Sequence, residues 1–528
     1  MLDRLLGFKV HAFLQLLGLI ILSVGLPLNK VVMSIGTIWL AANIILKSDF
    51  RSYWKNWKSS RLFSFITAIL IMHLFGLFYT EDFGYALHDL NAKLPLFAIP
   101  LCIIAFPIKR EWLTYVLYFY LASLFTTSCI NFFVAFDSPQ PDFRSMSLFG
   151  SHIRYTLLVV MGVAVTVHLI LINKKLRVLW VLLIGWFLFY IYQSQVFSGY
   201  ISLFALILSV FIYALLLIKS NVLKTTIAIG LLAISGLVIY LVVSLFTFEI
   251  TITDFSKLEE KTPYGNLYVH DTTHSWLENG HHVMSYISEG ELREEWNKRS
   301  DIDYDAWIND DEKLSFILFR YMSSLGLKKD RDGMKKMSNK DIENVELGFT
   351  NIDQVAGSPM ARWGDLKNQF RIYERTGDPN GNSLTERIEH FKVGWMIVKD
   401  NWKFGVGTGD VQLAFDHYYE TSGSKLNPSA WNRAHNQFLT FWITFGIFGM
   451  LLFFHLWIDL LRLSIRHVSF LSIAFVFVAL SSFLLEDTIE TQQGVTFVAF
   501  FLAVLTILIH PKNSIHSNSS FAEESKEN

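Results

Sequence analysis

The chain is 528 residues long, 52% hydrophobic and 15% aromatic, with 17% charged residues and a net charge of −1. Soluble domains carry about 25% charge, so this composition leans towards a membrane protein and excludes a disordered chain, a collagen-like repeat and a disulfide scaffold. The near-zero net charge gives no electrostatic reason to expect a nucleic-acid partner. Cys102 and Cys129 lie in apolar runs, away from any disulfide or zinc-ligand spacing.

A spanning helix needs about 20 mostly apolar residues to cross roughly 30 Å of hydrocarbon. In chain order, twelve runs approach that: 10–27, 31–46, 62–79, 93–107, 112–135, 153–173, 178–194, 199–218, 225–246, 436–461, 468–485 and 492–510. The fourth is short and holds Pro95 and Pro100, which reads as a kinked or partly inserted span. The first follows Arg4 and Lys9 and runs into a second apolar stretch without a small-residue cleavage site, so it reads as an uncleaved span.

Lysine and arginine in the short loops set the expected orientation. With the N-terminus in the cytoplasm, the inner side collects Arg4, Lys9, Lys47, Arg51, Lys55, Lys58, Arg61, Lys109, Arg110, Lys174, Lys175 and Arg177. Lys219, Lys224, Arg462, Arg466, Lys512 and Lys526 follow on that side, leaving Lys30, Lys93 and Arg144 for the short outer loops. Both termini are therefore expected in the cytoplasm. The expected organisation is a bundle of about nine spans (1–246), an outward-facing polar block (247–435), about three further spans (436–510) and a disordered tail (511–528).

The polar block holds 31 acidic and 23 basic residues. Two amphipathic runs, Asp311 to Leu327 and Thr385 to Trp402, predict helices, and Thr376-Gly377-Asp378-Pro379-Asn380-Gly381-Asn382 has strong turn chemistry. Gly405-Val406-Gly407-Thr408-Gly409 lacks the strand-then-helix setting of a phosphate-cradling loop and reads as a structural turn. The fold class is thus an all-α polytopic membrane protein of about twelve transmembrane helices, with one large, mainly helical outward-facing insertion between the ninth and tenth.

Three patches carry candidate chemistry. His435, in Asn432-Arg433-Ala434-His435-Asn436, stands where the block meets the tenth span; it suits general-base work or simply anchors the helix start. Arg154 opens the sixth span and Lys93 the fourth, while Arg387 precedes an amphipathic run. Cations at a lipid boundary are functional candidates, with snorkelling to the headgroups as the alternative. Glu486, Asp487 and Glu490 form an acidic patch that either orients His435, pairs with an arginine, or is a solvated loop end. His270, His274, His281 and His282 read as surface histidines, since no compact acidic pair or ligand cluster accompanies them.

The run from Arg433 to Phe445-Gly446-Ile447-Phe448-Gly449, preceded by Phe404 to Gly409, resembles the signature of the O-antigen ligase and polymerase family. Tyr268-Val269-His270-Asp271-Thr272, Glu278-Asn279-Gly280, Arg320 to Asp330 and Glu486 to Gln492 resemble its Bacteroidetes-type branch. The family's small-residue-plus-arginine motif is replaced here by Ser194 to Tyr200, which holds no arginine. The resemblance implies a glycosyltransferase of the bacterial inner membrane that moves a glycan from undecaprenyl diphosphate to a hydroxyl of lipid A–core at the periplasmic face. It implies an inverting mechanism without a metal or other cofactor. His435, Arg387 and Arg154 become the catalytic candidates, and Lys93, Arg433 and Glu490 the substrate-binding ones. Arginine suits a diphosphate because its planar fork binds two phosphate oxygens at once. A polymerase or a protein O-oligosaccharyltransferase would use the same chemistry on another acceptor. A transporter or flippase is the reading from a different class, against which stand the boundary placement of the charges and the single large insertion.

Overall fold

The computed structural model describes residues 3–137, 147–246, 258–271, 273, 276–308, 312–352, 366–367, 369–370, 373–374 and 376–509. Arg144, Thr272, His274, Asp311, Lys512, Lys526 and the expected disordered tail lie outside these residues. Among the described residues, eleven helices are long and apolar enough to cross a membrane, and Phe470–Leu485 is a shorter apolar helix beside them. The protein is an all-α, multi-pass membrane protein.

In chain order the helices are α1 (Asp3–Leu28), α2 (Lys30–Lys47), α3 (Phe50–Ser59), α4 (Arg61–Gly76), α5 (Phe83–Ala105), α6 (Leu113–Phe136), α7 (His152–Ile172), α8 (Arg177–Ser194), α9 (Phe197–Leu217) and α10 (Asn221–Phe246). Then come α11 (Glu289–Trp296), α12 (Leu314–Ser324), α13 (Arg331–Lys336) and α14 (Asn339–Glu346). The last are α15 (Ser383–Asn401), α16 (Val411–Thr421), α17 (Gln437–Arg466), α18 (Phe470–Leu485) and α19 (Gln492–Ile509). The chain divides into two compact units, one formed by Met1–Leu232 with Arg387–Asn528 and the other by Ala233–Glu386.

In the first unit α1 packs on α2 and α6, α5 on α19, and α18 on α7, α9 and α17. From Gln493 to Leu508 every residue of α19 is buried, as befits a helix apolar on all sides. The fourth span differs from its sequence reading: it starts at Phe83, not near 93, and passes both prolines as one helix. Its first turns carry His88, Asp89, Asn91 and Lys93, which lower the hydropathy there. Asp82 caps it by accepting the Tyr85 N–H at 2.8 Å.

One helix is broken on purpose. Gly446 in α17 has φ 68° and ψ −171°, so the carbonyls of Ile443 and Thr444 lose their in-helix partners. The loop before α16 replaces them: Val406 N–H donates to Ile443 O at 2.8 Å and Gly407 N–H to Thr444 O at 3.0 Å, while Ile447 N–H donates back to Trp402 O at 2.8 Å. Irregular backbone in a membrane protein needs such internal partners. A Cβ on Gly446 would stand 2.0 Å from the Lys403 carbonyl oxygen, so the approach demands glycine. The glycine loop is therefore a splice for a broken helix. Asp410 extends it by accepting the N–H groups of Glu81 and Asp82, each at 2.8 Å.

The second unit builds its core from Leu292, Trp296, Leu318, Tyr321, Met322 and Met334. Two short antiparallel strand pairs, Leu277–Glu278 with His281–His282 and Trp307–Ile308 with Glu312–Lys313, belong to it. Arg320 pairs with buried Glu278 at 2.9 Å, and Ser338 and Asp341 form a capping box at the start of α14. His270 spans Glu259 O and the Tyr286 N–H, both backbone contacts. Among the described residues, no cluster of three His, Cys, Asp or Glu side chains is placed to hold a metal ion.

Candidate active site

The N-terminal ends of α5, α7, α17 and α19, the C-terminal end of α18 and the start of α15 within the first unit meet on one face of the bundle. Residues far apart in sequence form two linked charge clusters there.

The first cluster centres on Glu490. Lys93 donates to Glu490 Oε2 at 2.8 Å and to Asp89 Oδ2 at 2.7 Å, one helical turn before it. Arg433 Nη1 reaches the same Glu490 oxygen at 3.2 Å, and its other nitrogen donates to the Tyr85 hydroxyl. Gln437 Nε2 donates to Glu490 Oε1 at 2.9 Å, and its own oxygen accepts the Ile489 N–H at 2.8 Å. Burial alone would raise the Glu490 pKa, but Lys93 and Arg433 hold it far below the usual carboxylate range. Burial opposes the Arg433 charge as well, and Glu490 overrides it and raises its pKa. Buried charges persist only with such pairing.

The second cluster centres on Glu486. One of its oxygens pairs with Arg387, whose other arm donates to Leu485 O at 2.8 Å; its second oxygen stands 3.6 Å from His435 Nδ1. Burial again opposes ionisation, and His435 and Arg387 together keep Glu486 below the ordinary carboxylate range. His435 itself has φ 49°, a conformation that costs a non-glycine residue about 1–3 kcal/mol. Asp487 stabilises this turn, accepting the His435 N–H at 3.1 Å and the Thr440 hydroxyl at 2.7 Å. Burial raises the Asp487 pKa, with Thr440 opposing it.

Two further side chains adjoin this cluster. Arg154, the third residue of α7, is partly buried, its Nε–H donates no hydrogen bond among the described residues, and Glu486 and Asp487 act on it electrostatically. It makes no ion pair among the described residues. His390 on α15 is 2% exposed and packs 5.2 Å from the His435 ring, centroid to centroid. Its Nε2 lies 3.1 Å from Ala430 O, which fixes the proton on that nitrogen and leaves Nδ1 buried without a partner among the described residues. Burial pushes its pKa down to about 4 against the Ala430 contact, and His435 and Arg387 add to the drop.

Lys93, Arg433 and Glu490 thus join in one cluster, and Arg387 and His435 meet through Glu486 in the other. Arg154 stands beside the second cluster without touching either centre. Sequence reading passed over Asp89, Tyr85, Gln437 and His390. Asp89 had a signal, since a carboxylate four residues before a lysine on one helix makes a pair. Tyr85 and Gln437 had none, because their contacts join segments hundreds of residues or whole helices apart.

A multi-pass membrane protein with paired arginines, a carboxylate-held histidine and a buried lysine at one face has the equipment to bind an anionic headgroup and move a proton. Residues 336–454, which contain Arg387, Arg433 and His435, match the family model Wzy_C, described as O-antigen ligase. That match supports the family resemblance carried by Arg433–Gly449 and makes a glycosyltransferase-like enzyme plausible. No curated protein matches the chain.

Proposed function

We propose that the protein transfers a glycan from undecaprenyl diphosphate to a hydroxyl of lipid A–core, at the periplasmic face of the bacterial inner membrane. The observation that carries the reading is Glu486 held between His435 and Arg387, with Arg154, which makes no ion pair among the described residues, alongside. Glu486 on Nδ1 orients the imidazole so that Nε2 can take the proton of the attacking hydroxyl. The hydroxyl oxygen then bonds to the anomeric carbon from the face opposite the diphosphate, and the anomeric carbon–oxygen bond breaks. Undecaprenyl diphosphate leaves with the electron pair, its charge stabilised by Arg154 and Arg387, and the anomeric centre inverts. Arg433 and Lys93, already matched by Glu490 and Asp89, contribute to the electrostatic field at this face.

Purified protein given lipid-linked donor and lipid A–core in detergent should form coupled product, and His435→Ala should form it about 10²–10⁴-fold more slowly while remaining folded. Transfer without any gradient is incompatible with a pure transporter. A disruption strain that retains only single-repeat lipid-linked glycan would instead identify a polymerase. One that keeps lengthening the lipid-linked polymer but leaves the core bare fits the ligase.

A further inference from the structure

A cavity of about 580 Å³ lies between α2, α5 and the start of α19, on the Glu490 side of the cluster. Its inner wall is polar: Lys30, Ser34 and Thr37 from α2, His88 and Asn91 from α5, and Glu490 and Gln492. Its outer edge is apolar and open, with Ile38 67% and Leu94 54% exposed. Asn91 is also exposed although it lies nine residues into a membrane-spanning helix. Its amide lines the cavity, where it offers both a donor and an acceptor to a polar occupant. Pro95, another lining residue, has no N–H and so withdraws the helical donor from the Asn91 carbonyl, adding an acceptor to the same wall. Gln492 Nε2 donates to Ser34 Oγ at 2.7 Å and fixes α19 against α2 at the inner end. Glu490 Oε2 already takes two donors and Oε1 takes one, which leaves Oε1 a lone pair for a hydroxyl.

We propose that this cavity seats the acceptor: a glycolipid enters from the membrane between α2 and α5, its sugar hydroxyls meeting Asn91, Thr37 and Glu490 and its acyl chains lying along Ile38 and Leu94. The inference rests on the transfer reading above and adds where the acceptor binds. Amides, hydroxyls and a fixed carboxylate suit a hydroxyl-rich headgroup, and Lys30 suits an anionic substituent on it. A diphosphate is better served beside Arg154 and Arg387, since Arg154 makes no ion pair among the described residues. The two lipids then approach the catalytic histidine from different helices.

The test is photocrosslinking on the full chain in nanodiscs of phosphatidylethanolamine and phosphatidylglycerol, with the photoreactive residue at Ile38, or at lipid-exposed Phe119 on α6 as control. One set contains lipid A–core and another undecaprenyl diphosphate. Lipid A–core adducts at Ile38 should exceed those at Phe119 by about tenfold, and Asn91→Leu should remove most of that excess. Ala92→Trp, which fills the cavity, should abolish it. Equal labelling at both positions, or enrichment of undecaprenyl diphosphate at Ile38, overturns the assignment. Crosslinking requires no turnover, so the two readings fail separately. Transfer that survives Ala92→Trp and Asn91→Leu unchanged removes the cavity from the reaction, whereas enriched adducts in a protein with no transferase activity remove the reaction and leave the lipid seat.

Discussion

Glu486 Oε2 stands 3.6 Å from His435 Nδ1, and the other oxygen of the same carboxylate is held by Arg387. A base and a cation thereby take their positions from one anion. Glu486→Gln should cut turnover by about 10²–10³-fold, since the amide neither fixes the imidazole nor steadies the charge it acquires. The double variant with His435→Ala should be no slower than His435→Ala alone, because the two act as a unit. Initial transfer rates of the four proteins check this; additive losses would separate the pair.

Arg387→Lys should lose about 10²-fold in transfer, because a point charge cannot reach Leu485 O and an anion with a planar fork. Arg154→Lys should be impaired as well, and both should fall mainly in kcat. Wild-type rates in either would mark a structural arginine.

Glu490→Gln should destabilise the fold by about 3 kcal/mol, since it strips Lys93 and Arg433 of the carboxylate that compensates their burial. Thermal unfolding in detergent measures this, and Lys93→Met in the Glu490→Gln background should recover part of the loss.

Gly446→Ala should cost about 2–4 kcal/mol by combining an unfavourable φ with a Cβ thrust against Lys403 O. Gly405→Ala should behave alike, because a Cβ there would meet the Thr444 backbone at 2.4 Å. Unchanged melting temperatures in both would mean that the splice does not hold α17.

His390 has a folded pKa of about 4 against an ordinary 6.5. The unfolded chain binds more protons between these values, so stability rises with pH across that window and falls on acidification through it. The full effect is on the order of 3 kcal/mol. His390→Phe should flatten the melting-temperature slope between pH 4 and 6.5, and an unaltered slope would show that the acid sensitivity lies elsewhere.

Hydropathy needs only local composition, which is why the sequence by itself determined a polytopic helical protein and most of its spans. It also marked Arg154, Arg387, His435 and Glu490, because ionisable groups at the edges of apolar runs are rare. It misjudged the start of α5, where His88, Asp89, Asn91 and Lys93 depress the hydropathy because they face a buried cluster and a cavity. Only the tertiary structure decided which carboxylate meets which cation: Glu490 and Lys93 are 397 residues apart, Arg387 and Glu486 99, and no local spacing encodes such pairings. It likewise gave the glycine loop its task, since the helix break that it repairs lies some forty residues further along the chain. Local periodicity reports what each segment can be; long-range pairing and burial decide what the segments do together.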